Sequence, residues 1–461
     1  MMEHPVVILG GGCAGLAAAL RLSRCGHRVV VVERDDHVGG LAGGVHINGN
    51  TYEYGPHVFH TTDPEVLGDV TSLMGDALAP FTRTIRIKFR DRYFAFPLRL
   101  QDVLAQLPLR TVAHAALSAL WHRLAGVFSR PAEETSETVL TRAYGRVLYE
   151  IFFESYITAV WGIPPAGFAP SFARERIPRM SILGVADRLT AAVRGRFGRA
   201  VTTGGFVEKV EGRLFTTERG FSLITERMAG EVVALGGRVA LDTTVTRLRR
   251  EGDRLTAVDI TGPGGTSTLA CSGVINTLPV NEAVLLVDPM PADDVRASAG
   301  ALQFRALVFV GLLVRHARAL PASLMYFREH TFNRLSDLSQ FGFRISPQGC
   351  TLLVAEISCA VGDRPWADAE FAKQAVIREL AAESLLVPED VLEAHVYRAE
   401  HAYPIYALHY EAHLSRLLRF FDDLANAETA GRQGRFAYVN GHVAMKMGYE
   451  AADRLTGRRP S

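Results

Sequence analysis

The sequence predicts an α/β fold assembled from interleaved segments, with a helical and β-sheet region inserted between them. Three observations predict it. A strand–helix–strand unit occupies the start, from Pro5 to Glu33. Alternating segments from Arg238 onward, with turns at Glu251-Gly252-Asp253 and Gly262-Pro263-Gly264-Gly265, read as a β-meander that returns to a buried strand at Val274–Asn276. A glycine-bearing loop feeding a helix closes the chain, from Ala430 to Leu455.

Each element follows from its pattern. Pro5 to Gly10 is a short apolar run bounded by glycine, and Ala14 to Arg24 is a helix ended by Gly26. Arg28 to Glu33 (RVVVVE) is β-branched and makes the next strand. Between Pro97 and Met180 the pattern is mostly helical, and it includes the aromatic stretch LYEIFFESYITAVWGIPP. Residues 130–137 are the candidate surface linker. A helix is expected before Gly236, a second β-rich region from Arg305 to Ser358, and helices around Phe371–Ser384 and Tyr410–Asp423. The expected segmentation is 1–96, 211–282 and 425–461 for the nucleotide domain, 97–210 for a helical cap and 283–424 for a substrate sheet.

Composition sets the class. Of 461 residues 48% are hydrophobic and 21% charged, as in an ordinary globular enzyme with substantial cores. A net charge of +1 supplies no global field for nucleic acid or an anionic membrane, so any bound anion needs local groups. Five scattered cysteines without a C-x-x-C pair argue against a disulfide framework or a metal site. The apolar start lacks a basic region, and no uninterrupted apolar run of ~18 residues occurs. The expectation is a soluble, cytoplasmic protein, without nucleic-acid or membrane partners and able to form oligomers.

Gly10-x-Gly12-x-x-Gly15 lies between the first strand and helix, with Glu33 ending the second strand. Small residues let the backbone turn tightly and approach a pyrophosphate at the helix N-terminus, and the carboxylate can accept ribose hydroxyls. Strand, helix and acid in register make this a dinucleotide site.

The loop that follows, Gly39, Gly40 and Leu41 within VGGLAGG, resembles that of flavoproteins of the amine-oxidase and protoporphyrinogen-oxidase-like superfamily. Their C-terminal flavin contact is similar to Gly431-Arg432-Gln433-Gly434. The resemblance implies a Rossmann-like FAD-binding domain of the glutathione-reductase type, non-covalent FAD, and Arg432 as a cofactor contact. A narrower resemblance is to the UDP-galactopyranose mutases. It is carried by YGPHVFHT (Tyr54–Thr61), by LYEIFFESYITAVWG and by ARERIP, where Arg176 takes the place of a diphosphate-binding arginine. FVGLLVRHA places Arg315 as a second, and GRQGRFAYVNG contains the active-site tyrosine, here Tyr438.

This resemblance implies catalytic roles for Arg176, Arg315, His57 and Tyr438. It implies substrate contacts from Tyr149, Phe153, Tyr156, Trp161, Tyr403 and Asn440, the aromatic faces stacking on a nucleotide base. Aromatic residues at i, i+3, i+4 spacing on a helix also suit a core. Asn440 stands where bacterial mutases have an acid, and the Trp161–Arg176 spacing is one residue longer than in the bacterial form.

The implied reaction is redox-neutral pyranose/furanose interconversion of a nucleotide sugar. Reduced flavin N5 would act as nucleophile at the anomeric carbon, so an external reductant is needed. The alternative is an FAD-dependent dehydrogenase, oxidase or desaturase of another small molecule. The absence of lysine between Lys209 and Lys373 disfavours the amine-oxidase subtype with its lysine beside N5. A non-catalytic FAD-binding scaffold is the third reading.

Overall fold

The computed structural model describes residues 4–89, 92–95, 108–128, 133–176, 212–315 and 320–457. Strand β1 (Val6–Leu9), helix α1 (Cys13–Arg24) and strand β2 (Val29–Val32) form the expected opening unit. β1 is central in a five-stranded sheet, between Gly273–Asn276 and β2, with Ala427–Thr429 and Arg238–Ala240 at the edges. All four pairings are parallel, Val6 lying opposite both Val29 and Gly273.

Strand side chains alternate between two cores. Val6, Ile8, Val29 and Val31 pack with α1 and the C-terminal helix Gly441–Leu455. Val7, Leu9 and Val32 face a core that includes Val245, Leu248 and Val258 of the antiparallel meander. Arg238–Ala240, expected to open that meander, instead pairs with β2. Gly237 lets its strand pass the preceding helix, since a Cβ there would stand 2.7 Å from Val232 Cγ1.

The second sheet has seven strands. From one edge they are Val391–Pro404, Phe304–Arg315, Cys350–Cys359, Arg334–Asp337, Leu324–Tyr326, Ile85–Phe89 and Arg92–Ala95. Its pairings are antiparallel except that between Leu324–Tyr326 and Ile85–Ile87. Phe304–Arg315 reads as an unbroken apolar run because both its faces are covered. Leu307 and Phe309 join the larger core, and Val308, Val310 and Leu312 face the core formed with helix Ala369–Ala382.

The aromatic stretch is helical from Arg146 to Trp161, with a π-turn at Glu150–Glu154. Among the described residues, no helix is long and apolar enough to cross a membrane.

Candidate functional site

Where the two sheets meet, a cavity of about 530 Å³ is lined by residues from Gly10 to Ala444. Its nucleotide-binding wall comes from backbone. Gly10 has φ +100°, and a Cβ on Gly15 would lie 2.0 Å from the Gly10 carbonyl oxygen, so only glycine lets α1 start against the strand end. Helix α1 has no side-chain cap at Gly12 and no acid in its first turn, leaving its N-terminal N–H groups for an anion.

Glu33 lines the cavity and accepts N–H bonds from Gly11 (2.7 Å) and Asp35 (3.0 Å). Burial raises the Glu33 carboxyl, and the Asp35 and Gly11 N–H groups oppose that rise. Gly39 N–H donates to Gly11 O at 2.8 Å, which draws the second glycine loop, with Gly40 and Leu41, against the first. At the opposite end the helix Gly441–Leu455 also begins uncapped, with Asn440, Gly441 and Ala444 on the cavity wall. Arg432 folds over the Tyr438 ring at 4.2 Å and donates to Val439 O at 3.2 Å. Two uncapped helix starts, close-approach glycines and a buried carboxylate at the end of β2 fit a flavin dinucleotide. Burial pushes the Cys13 thiol to about 12, so this cavity-lining cysteine is protonated.

The second sheet supplies the other wall. Phe309, Arg334, Arg398 and Tyr403 line it, joined by Tyr54, which follows the strand Asn50–Glu53, and by Tyr438 from the C-terminal segment. Arg334 Nε donates to Glu356 Oε1 at 2.5 Å, and the two residues are register partners on neighbouring strands. The carboxylate is 3% exposed and the guanidinium 22%, so the pair presents its cationic side to the cavity. Gly55, at φ +87°, rests on this pair: a Cβ there would be 2.8 Å from both Arg334 Nη2 and Glu356 Oε1.

The Tyr403 and Tyr438 rings lie 5.1 Å apart, and Tyr438 N–H donates to the Tyr406 hydroxyl at 2.9 Å. Burial raises the Tyr403 phenol well above its usual value, as does the neighbouring Tyr438. His57 lines the cavity and its backbone N–H donates to Glu53 Oε2 at 3.0 Å. Glu53 is wholly buried, and burial pushes its carboxyl to about 8 despite N–H donors from His57 and Phe221. Asn440 Nδ2 stands 3.5 Å from His60 Nε2, whose ring is 4.5 Å from His442.

The cavity thus brings together Gly10, Gly12, Glu33, Gly39, Gly40, Leu41, His57, Tyr403, Arg432, Tyr438 and Asn440, with Gly15 just behind. Other expected contacts stand elsewhere. Arg315 ends its strand exposed, opposite Cys350, about 20 Å along the chain from cavity-lining Phe309. Arg176 ends helix Pro170–Arg176, and its side chain lies outside the described residues.

Within the aromatic stretch Tyr149 and Phe153 are buried in the core. Tyr149 is 1% exposed and stacks under Arg146, and Phe153 lies 4.7 Å from Tyr144. Tyr156 meets Tyr326 edge-on at 6.4 Å, and its phenol is close enough to cavity-lining Arg334 and Tyr438 to feel both, which places it beside the site. Trp161 packs on Phe172 (5.1 Å) and on Tyr403 (6.0 Å), so it backs a cavity residue.

Arg334 and Arg398 were not evident as site residues from sequence. One signal was present: Glu356 is a lone acid inside the apolar strand TLLVAEISC, and a buried charge requires a partner.

Residues 8–73 match the family described as NAD(P)-binding Rossmann-like domain, and residues 193–401 match flavin containing amine oxidoreductase. The chain is 27% identical to a probable UDP-galactopyranose mutase of Klebsiella pneumoniae, over 39% of this chain and 46% of that protein. It is 29% identical to a phytoene dehydrogenase of Streptomyces griseus, over 56% of this chain and 51% of the other. These matches span about half the length of the curated relatives. In overall fold the chain is similar to reduced UDP-galactopyranose mutase, with a TM-score of 0.82 at 20% identity over 99% of this chain and 94% of the other. A putative protoporphyrinogen oxidase from Exiguobacterium gives 0.72 at 16% identity, covering 99% of both chains. The chain thus matches the flavin containing amine oxidoreductase model over its middle part and carries the fold seen in UDP-galactopyranose mutase.

Proposed function

We propose that this protein is a flavin-dependent mutase that interconverts the pyranose and furanose forms of a nucleotide sugar, with non-covalent FAD in its reduced state. The observation that carries the reading is Arg334, a guanidinium held by buried Glu356 and facing the cavity that also contains the dinucleotide cradle. A planar cation is suited to a diphosphate, because it offers paired donors and stays ionised. We assign Arg334 the diphosphate role expected of Arg315.

The Gly10–Gly15 turn would hold the FAD pyrophosphate and Glu33 the ribose hydroxyls. When bound, reduced flavin supplies an electron pair to the anomeric carbon. Arg334 stabilises the charge gathering on the departing nucleoside diphosphate and keeps that group close for return. Glu356 fixes the orientation of the guanidinium. Tyr403 and Tyr438 offer phenols to sugar and phosphate oxygens, and burial keeps the Tyr403 phenol protonated and a donor. Asn440 offers a neutral amide where bacterial mutases carry an acid. Tyr54 and Phe309 exclude water from the reacting centre.

A second reading, a flavin-dependent dehydrogenase or desaturase, draws support from the phytoene dehydrogenase match and from the apolar wall of Leu285, Leu286, Leu307 and Phe309. Anaerobic incubation with UDP- and dTDP-hexoses, with and without dithionite, separates the two. The mutase gives isomerised sugar nucleotide only after reduction, without net electron consumption. Substrate-dependent bleaching of the oxidised flavin, with no isomer after reduction, overturns it.

A further inference from the structure

Helix Leu109–Phe128 is built inside out. Around its axis Leu117, Leu124, Ala113, Trp121 and Leu120 fall within about 60° of one line. Leu117, Leu120, Trp121 and Leu124 are 67%, 57%, 70% and 53% exposed. The inward side carries small residues, buried Ala115 and Ala119. Ala119 touches Gly145 so closely that a Cβ on that glycine would meet its nitrogen at 2.5 Å. The Ser118 hydroxyl accepts the Arg146 N–H at 2.9 Å. Among the described residues, packing explains the small face and leaves the large apolar one unexplained; a contiguous stripe of this kind marks an interaction surface.

Charge indicates what it meets. Arg110 and His114 are exposed on the same face, and the sequence has no acid between Asp102 and Glu133. A two-fold pairing of this patch with a second copy would bring Arg110 of both copies into an interface with no acid from the patch to pair them. An anionic bilayer surface supplies both an apolar layer and negative headgroups, the combination that holds amphipathic helices carrying Trp, Leu and basic residues.

We propose that this helix docks the protein on anionic lipid surfaces, lying in the headgroup boundary without spanning the membrane. The chain's net charge of +1 makes the attraction local to this patch.

The test is co-sedimentation of the flavin-loaded protein with phosphatidylcholine vesicles, with and without phosphatidylglycerol. Wild type pellets with the anionic vesicles and less at high salt. A Leu117→Asp/Leu120→Asp variant partitions at least about tenfold less, with unchanged flavin absorbance and melting temperature. Trp121 emission, taken as wild type minus Trp121→Phe, shifts to the blue on adding vesicles. The proposal is overturned if wild type stays in the supernatant or the double variant pellets equally. It is also overturned if sedimentation equilibrium finds a dimer that the double variant dissociates without vesicle binding; the stripe then belongs to a second copy. Trp121 emission already blue in buffer and unmoved by vesicles overturns it too, assigning the face to another part of the same chain.

Discussion

At the scale of residues, two buried carboxylates govern the site. Glu53 has an ordinary unfolded value near 4.3 and a folded one of about 8, raised by burial. The folded state therefore keeps a proton that the unfolded chain releases. The stability this carboxyl contributes is complete in acid and is lost as pH rises from the ordinary value through about 8. Wild type should lose on the order of a few kcal/mol over that window relative to Glu53→Gln. Melting temperatures of the two proteins across pH check this, and parallel curves would refute it. Glu356 makes a different prediction. Arg334→Ala strands it and should cost about 3–5 kcal/mol, while turnover of reduced enzyme falls by roughly 10²–10³. An Arg334→Met/Glu356→Gln pair removes both charges; it should regain stability and remain inactive in the sugar-nucleotide assay. Recovery of turnover in that pair would remove Arg334 from the mechanism. Of the two acids, only Glu356 was foreshadowed, since it interrupts an apolar strand. Glu53, flanked by Tyr52 and Tyr54, stands in a polar context where burial leaves no mark.

Among elements, legibility followed locality. β1, α1 and β2 were readable because apolar runs, glycines and a terminal acid lie within thirty-odd residues of one another. The strand Ile85–Phe89 and the pairing of Arg238–Ala240 were not, because their partners are remote in sequence: Leu324–Tyr326 for the first and β2 for the second. The aromatic helix was located correctly, yet its spacing serves core and cleft alike, and only the fold assigns Tyr149 and Phe153 to packing. Arg315 shows the same limit, since a strand's sequence does not say which end opens on the cavity. The C-terminal helix carries a prediction of its own. A Cβ on Gly448 would stand 2.2 Å from the Ala14 carbonyl oxygen, so glycine sets the separation between this helix and α1. Both helices begin at the cavity. Gly448→Ala should therefore destabilise by about 1–3 kcal/mol and also weaken flavin retention during gel filtration. Full flavin occupancy in a destabilised variant would show that the helix starts do not hold the cofactor through this spacing.

For the molecule as a whole, the cavity is the join. Its lining draws on Gly10–Ala14, the Val32–His60 region, the meander at Thr243–Val245, the second sheet and the C-terminal segment. No single segment could have announced it in sequence; its two halves carry separate signals, the glycine turn in one and the lone acid of a buried strand in the other. This arrangement makes the cofactor a link between the sheets, so its removal should be felt across the protein. Ligand present at 100 times its dissociation constant stabilises by about 2.7 kcal/mol. With an unfolding entropy of roughly 1 kcal/mol/K for a chain of this length, that is a shift of about 3 °C. Stripping the flavin at high salt should lower the melting temperature by at least that amount in one cooperative transition, and added FAD should restore it. Glu33→Ala should shrink the gain, as the ribose role proposed for this carboxylate requires. If the stripped protein melts in two steps and only one moves with FAD, the sheets are coupled through their own packing and the cofactor belongs to the nucleotide domain alone.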